Sequence, residues 1–205
     1  MSQAAEFWEK TVEYAFVVAA SKAERLDLAL PLSGKPERAA GDAIFGSKAR
    51  LVLVEFKRGK TQVESERSLF HDYDEARQSL SGIDSHHFLI YPSWPQQPTI
   101  SFNLFAETYF SRVACAGPLD CLARGKDPEN FRSYLDALFS WKVPDGRASS
   151  GQIGAHELAQ VIGVSGEGKL LEVVTLQEYA PDLFPEQEAN SENAADVHQM
   201  RNGPK

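Results

Sequence analysis

The order of its elements predicts an α/β protein: a helix, a mixed central sheet, a helix and a further strand, followed by a C-terminal α+β extension. Three observations carry that expectation. Between Glu6 and Ala20, Phe7, Val12, Phe16, Val17 and Ala20 recur at helical spacing with no Gly or Pro between them. Leu51–Phe56 is apolar except for Glu55, as in a central strand covered on both faces. From Thr61 to Gly82 the spacing is helical again, with Leu69, Tyr73, Ala76, Leu80 and Ile83 along one side, before the apolar strand His87–Pro92.

The remaining elements follow from local signals. Leu26–Leu32 is a short apolar run that reads as a first strand, stopped by the turn-forming "PLSGKP". Ala40–Phe45 and Arg50–Lys57, joined by "GSKA", predict an antiparallel hairpin. Ile100–Phe110 is apolar and open between strand and helix. Pro128–Trp141 predicts a helix, with Asp127 as its cap and Pro128 in its first turn. His156–Ile162 reads as a short helix, and "HELAQVIGVS" has a faint helix-turn-helix character. Leu170–Glu178 reads as a late strand or a strand–helix junction. Residues 1–185 are expected to form a single domain, with a core over about 6–92 and an extension over 93–185. Residues 186–205 are polar and read as a disordered tail.

Composition narrows the function classes. The chain is 42% hydrophobic and 24% charged, a balance that supports a packed core. No run of about 18 uncharged apolar residues exists, so no membrane span is expected. Glu6 and Glu9 stand where a signal peptide would be basic. Cys115 and Cys121 have no second pair, a pattern of neither a zinc site nor a disulfide framework, and a cytoplasmic setting is expected. The net charge of −8 argues against a nucleic-acid coat protein. Residues 22–60 nevertheless hold nine basic side chains against five acidic ones, a local surface compatible with phosphate contact.

Within that basic segment lies the candidate chemistry. Side chains two apart on a strand share a face, so Glu55 and Lys57 project together. If the preceding strand pairs with theirs, Asp42 reaches the same end of the sheet. Two carboxylates beside a lysine make an oxygen-rich pocket suited to Mg²⁺, which takes one or two carboxylates plus waters and phosphate oxygens. Such an ion lowers the pKa of a bound water, and the Lys57 ammonium would hold that water or stabilise developing negative charge. Arg77 and Gln78 are expected on solvated helix surface. His71, His86, His87 and His156 are read as structural, because no acid stands near them at ligand spacing. Most of the late aromatics, Phe102 to Trp141, are read as core, and some of them could stack on an unpaired base.

Asp42, then twelve residues, then Glu55-Phe56-Lys57 resembles the motif of the PD-(D/E)XK nuclease superfamily. The resemblance covers Glu6 to Pro92 and implies a restriction-endonuclease-like core: a helix, a three-stranded meander, a second helix and a further strand. It implies a nuclease in which Asp42, Glu55 and the Phe56 carbonyl ligate Mg²⁺, with Mn²⁺ as a substitute, while Lys57 activates the attacking water. Glu13, in "WEKTVEYAF", is similar to the acid that the first helix of that superfamily often adds to the metal site. The implied partner is nucleic acid, DNA foremost, with a homodimer or a protein partner as further options. Bacterial defence, competition between bacteria and DNA repair are the settings it suggests. Gly41 departs from the proline of the motif, and "ARQSLSG" lacks the Gln-x-x-x-Tyr pattern of the recombination-exonuclease branch. Two other classes stand beside the enzyme: a non-catalytic nuclease-like DNA-binding or assembly subunit, and an acidic interaction or immunity protein.

Overall fold

The computed structural model describes residues 9–26, 49–93, 103–143 and 159–184. Asp42, the first predicted strands from Asp27 on, His156 and the C-terminal tail lie outside the described residues. The apolar run becomes strand β1 (Arg50–Phe56), which is the middle strand of a five-stranded mixed sheet. The others are β2 (His87–Ser93), β3 (Asn103–Thr108), β4 (Ala159–Val164) and β5 (Leu170–Thr175), and the order across the sheet is β3-β2-β1-β4-β5. β1 and β2 are parallel, joined through helical chain on one face, whereas β2–β3, β1–β4 and β4–β5 are antiparallel.

Strand alternation divides the core into two layers. Val52, Val54 and Phe56 face α1 (Glu9–Lys22), packing with Val12 and Phe16 and with Ile162 and Val164 of β4. Leu51 and Leu53 face the opposite way. They meet α3 (Tyr73–Leu80) through Tyr73, Ala76 and Leu80, and α4 (Pro128–Trp141) through Phe131, Tyr134, Leu135 and Leu138. Each fully buried side chain of this size stabilises the fold by about 1.5–3 kcal/mol, so a strand used on both faces must be apolar almost throughout. Among the buried residues of β1, Glu55 is the exception, and it lies on the α3/α4 side.

The connection from β1 to β2 is broken rather than one long helix. A single turn, α2 (Lys60–Val63), leads into a 3₁₀ turn, Glu64–Leu69, before Asp72 caps α3 by accepting from the Asp74 and Glu75 amides. Phe70 interrupts the helix by bridging to Lys142, just past the end of α4, with His71 N–H donating to Trp141 and Val143 N–H donating to Leu69. Asp127 caps α4, as its position before Pro128 predicts.

Three expectations are corrected. Both edges of β1 are taken, by β2 and a Leu51–Lys126 bridge on one side and by β4 on the other. The hairpin partner expected from Ala40–Phe45 therefore has no edge of β1 to join. The neighbour comes instead from the extension, which supplies β3, β4 and β5 and so belongs to the same sheet as the core. The short helix expected up to Ile162 is strand from Ala159 onward, buried at every position, because Ala159, Val161 and Ile162 fill the gap beside β1. That removes the helix-turn-helix reading of this segment. The ambiguous apolar run resolves as β3, after which Tyr109 and Phe110 turn into the core. Cys115 and Cys121 are buried free thiols. No described helix is long and apolar enough to cross a membrane.

Candidate active site

β1 ends by placing Glu55 and Lys57 on one face, as their spacing predicts, and both are buried, 3% and 5% exposed. Lys57 Nζ lies 3.1 Å from Glu55 Oε2 and also contacts Glu66 of the 3₁₀ turn. Two further elements close on the same carboxylate. Lys142, at the end of α4, brings Nζ to 3.7 Å from Glu55 Oε1, over the rings of Phe70 and Tyr109. His87, at the start of β2 and aligned with Leu53, brings Nε2 to 3.5 Å from the same oxygen. The Tyr134 hydroxyl lies 2.8 Å from His87 Nδ1, and the Tyr109 hydroxyl donates to Glu66 Oε2 at 2.7 Å. If Tyr134 donates to Nδ1, the imidazole keeps its proton on Nε2, facing Glu55.

Burial pushes the Glu55 carboxyl up, but Lys142, Lys57 and His87 outweigh it and hold Glu55 well below the usual carboxylate range. Glu66 goes the other way. Burial and then the Glu55 charge raise it to about 7, against the pull of Lys57 and Lys142. Burial alone would lower Lys57, yet Glu55 and Glu66 together raise it above an ordinary lysine. Burial lowers His87, so the ring is neutral at physiological pH. Taking such charges out of water is tolerable only because they pair inside the cluster.

Of the residues the sequence singled out, the structure brings together Glu55 and Lys57. Glu13 sits on α1, which covers the opposite face of the sheet, and its carboxylate is paired with Lys10 at 2.8 Å. The structure does not bring Glu13 to Glu55. The Phe56 ring points to that opposite face too, 5.7 Å from Phe16. Arg77 and Gln78 are exposed, as expected. Sequence reasoning missed Glu66, Lys142 and the contact of His87. Only His87 left a signal, as a polar residue opening an apolar strand that follows β1. Glu66 and Lys142 are gathered by the Phe70–Lys142 bridge, which no periodicity encodes.

Magnesium requires hard oxygen donors, and Glu55 and Glu66 supply two carboxylates that reach one ammonium. Glu55 Oε2 is buried and faces the Lys57 ammonium at 3.1 Å, and His87 Nε2 faces Oε1 at 3.5 Å. The two carboxylates are hard oxygen donors, but the ammonium groups of Lys57 and Lys142 already neutralise them here. No group of three or more His, Cys, Asp or Glu side chains among the described residues is arranged to hold a metal, so other ligands would have to be water, substrate or residues outside that set. Comparisons with protein-family models, curated proteins and solved structures find no match to this chain.

Proposed function

We propose that this chain is a magnesium-dependent nuclease of the PD-(D/E)XK, restriction-endonuclease-like kind, hydrolysing phosphodiester bonds in DNA. The observation that carries the reading is the Glu55–Lys57 pair, side by side at the end of a central strand, in a cluster that keeps Glu55 ionised. Glu55 would hold the ion, with Mn²⁺ able to replace Mg²⁺, and the ion would supply an activated water. Lys57 would orient that water or meet the charge that develops on phosphorus oxygens. Glu66 is a second carboxylate within reach. Asp42 and the Phe56 carbonyl enter as ligands on the strength of the motif, whereas Glu13, on the opposite face of the sheet, does not. Arg58 and Lys60, exposed directly after β1, suit contact with a phosphate backbone.

The test is incubation of the purified chain with supercoiled plasmid and Mg²⁺, followed on gels. Nicking or linearisation that chelation abolishes is expected. Glu55→Gln, Asp42→Asn and Lys57→Ala should each reduce it by about a hundredfold or more. No cleavage by the wild-type chain, or full cleavage by Lys57→Ala, would remove the reading.

A second reading has its own observation. The four charged groups Glu55, Glu66, Lys57 and Lys142 are all buried and pair among themselves, which suits a nuclease-like subunit that binds DNA or a protein without cutting. Plasmid binding without cleavage, unaffected by Glu55→Gln, would favour it.

A further inference from the structure

Glu55 and Lys57 are too deeply buried to meet a substrate in the closed chain. The elements that bury them are not equally anchored. β1 and β2 lie in the middle of the sheet, and Lys142, at the end of α4, is bridged to Phe70. The stretch Lys60–Leu69 is only one helical turn and one 3₁₀ turn, neither of which has a side-chain cap at its start. Among its described side chains only Val63 and Glu66 are buried. It follows Gly59, where an added Cβ would meet no atom within 4 Å, and it is pinned at its far end, where Val143 N–H donates to the Leu69 carbonyl. A segment with so few buried apolar groups opens locally at a lower free energy than α3 and α4, which are packed into the core.

Glu66 is the polar anchor of that stretch. Its carboxylate is shared between the Lys57 ammonium and the Tyr109 hydroxyl, whereas Glu64 is exposed. The nuclease reading gives Lys57 the charge borne by phosphate oxygens, and a carboxylate already occupies that place. Carboxylate and phosphate oxygens are alike as charged acceptors for an ammonium, so the two compete. Resting on the nuclease reading of this site, we propose that Lys60–Leu69 is a cover hinged after Gly59, with Glu66 as a plug that holds Lys57 in place of a substrate phosphate. While the cover is shut, the plug lets Lys57 stay buried as an ion pair. When it opens, Lys57 faces solvent beside the exposed Arg58 and Lys60, and a nucleic-acid phosphate supplies the charge that Glu66 withdrew.

Two measurements on the full chain test this, both in chelator-treated buffer. Amide hydrogen exchange in Lys60–Leu69 should be faster than in α3 and α4 by about tenfold or more. Tyr109→Phe keeps the ring that stacks on His87 and removes the hydroxyl that anchors Glu66, so exchange in that stretch alone should rise further. Fluorescence anisotropy with a short DNA duplex is the second measurement. Glu66→Gln should bind about tenfold more tightly than the wild type, and adding Lys57→Met should cancel the gain. Glu64→Gln removes the same charge from an exposed position and should not reproduce it. A stretch protected as well as α3 and α4, or exchange that rises equally in every helix of Tyr109→Phe, would overturn the proposal. So would an affinity that Glu66→Gln leaves unchanged, or a gain that Glu64→Gln matches or Lys57→Met leaves intact. The nuclease reading fails separately: opening and tighter binding without plasmid cleavage in Mg²⁺ keep the cover and remove the enzyme, and cleavage with the stretch fully protected does the reverse.

Discussion

His87 and Tyr109 stack face to face, their ring centroids 4.1 Å apart and their planes 10° from parallel. The pair orders both acids of the cluster, since Tyr109 donates to Glu66 while the outer edge of His87 faces Glu55. The rest of the cluster is held by their neighbours, with Tyr134 on the other imidazole nitrogen and Phe70 and Tyr109 under Lys142. Aromatic pairing of this kind contributes about 0.5–1.5 kcal/mol beyond the area it buries. Its larger effect is to make the polar groups of the cluster rigid.

Glu66 should leave a signature in the pH dependence of stability. The folded chain keeps its proton up to about 7, whereas an ordinary glutamate releases it near 4.5. Between those values the folded state binds more protons than the unfolded one, so this group's stabilising contribution is present at the acid end and is lost as pH rises through 7. In chelator-treated buffer, the stability difference between wild type and Glu66→Gln should shift against the wild type from pH 5 to pH 8, by up to about 3 kcal/mol. Urea midpoints measure it, and parallel curves for the two proteins would contradict it.

His86 has the opposite sign. It packs against Tyr134 at 4.6 Å and Phe131 at 5.5 Å, with no hydrogen bond at either nitrogen. Burial first, then His87 and Lys126, push it down to about 3 from an ordinary 6.5. Below 6.5 the unfolded chain takes up a proton that the folded chain refuses, so acidification destabilises the fold. His86→Phe removes that contribution and should flatten the acid limb by roughly 1 kcal/mol per pH unit. Stability falling equally steeply in the variant would show that the ring is protonated without penalty.

If DNA tracks past the end of β1, the exposed Arg58 and Lys60 release counterions when it binds. The double variant Arg58→Ala/Lys60→Ala should weaken binding to any sequence. It should also flatten the plot of log affinity against log salt by about one unit for each phosphate that is no longer neutralised. Fluorescence anisotropy over a salt series reads both, and an unchanged slope would take these two residues off the path.

Gly125 is a packing test independent of function. A Cβ there would lie 2.8 Å from Arg50 Cβ and 2.9 Å from Val164 Cγ2, although its φ of −58° suits any residue. Gly125→Ala should cost about 1–3 kcal/mol by overpacking. Gly82 has open space where a methyl group would stand, with no atom within 4 Å. It should accept alanine and gain roughly 0.4–1 kcal/mol through a stiffer unfolded chain. Thermal unfolding of the two variants should move in opposite directions.

The sequence made β1, β2, α1 and α4 legible because each carries its own period or cap, Asp127 and Pro128 most plainly. It also made Glu55 and Lys57 legible as a pair, since spacing along one strand is a local property. Strand pairing is not local. The hairpin with Ala40–Phe45 was the nearest partner in the chain, but the apolar Val161 and Ile162 of β4 take that edge. Glu66, His87 and Lys142 reach Glu55 through contacts far apart in sequence, and a helical period running from Thr61 to Gly82 conceals the break at Phe70 that turns Glu66 inward.

The place of β4 also bears on how the chain is made. A ribosome delivers β1 long before it delivers Ala159–Val164, so nascent β1 has one bare edge whose apolar face invites pairing with another chain. Only when synthesis has passed Val164 can the middle of the sheet be seated, and a product that stops short of β4 should stick to its copies and precipitate.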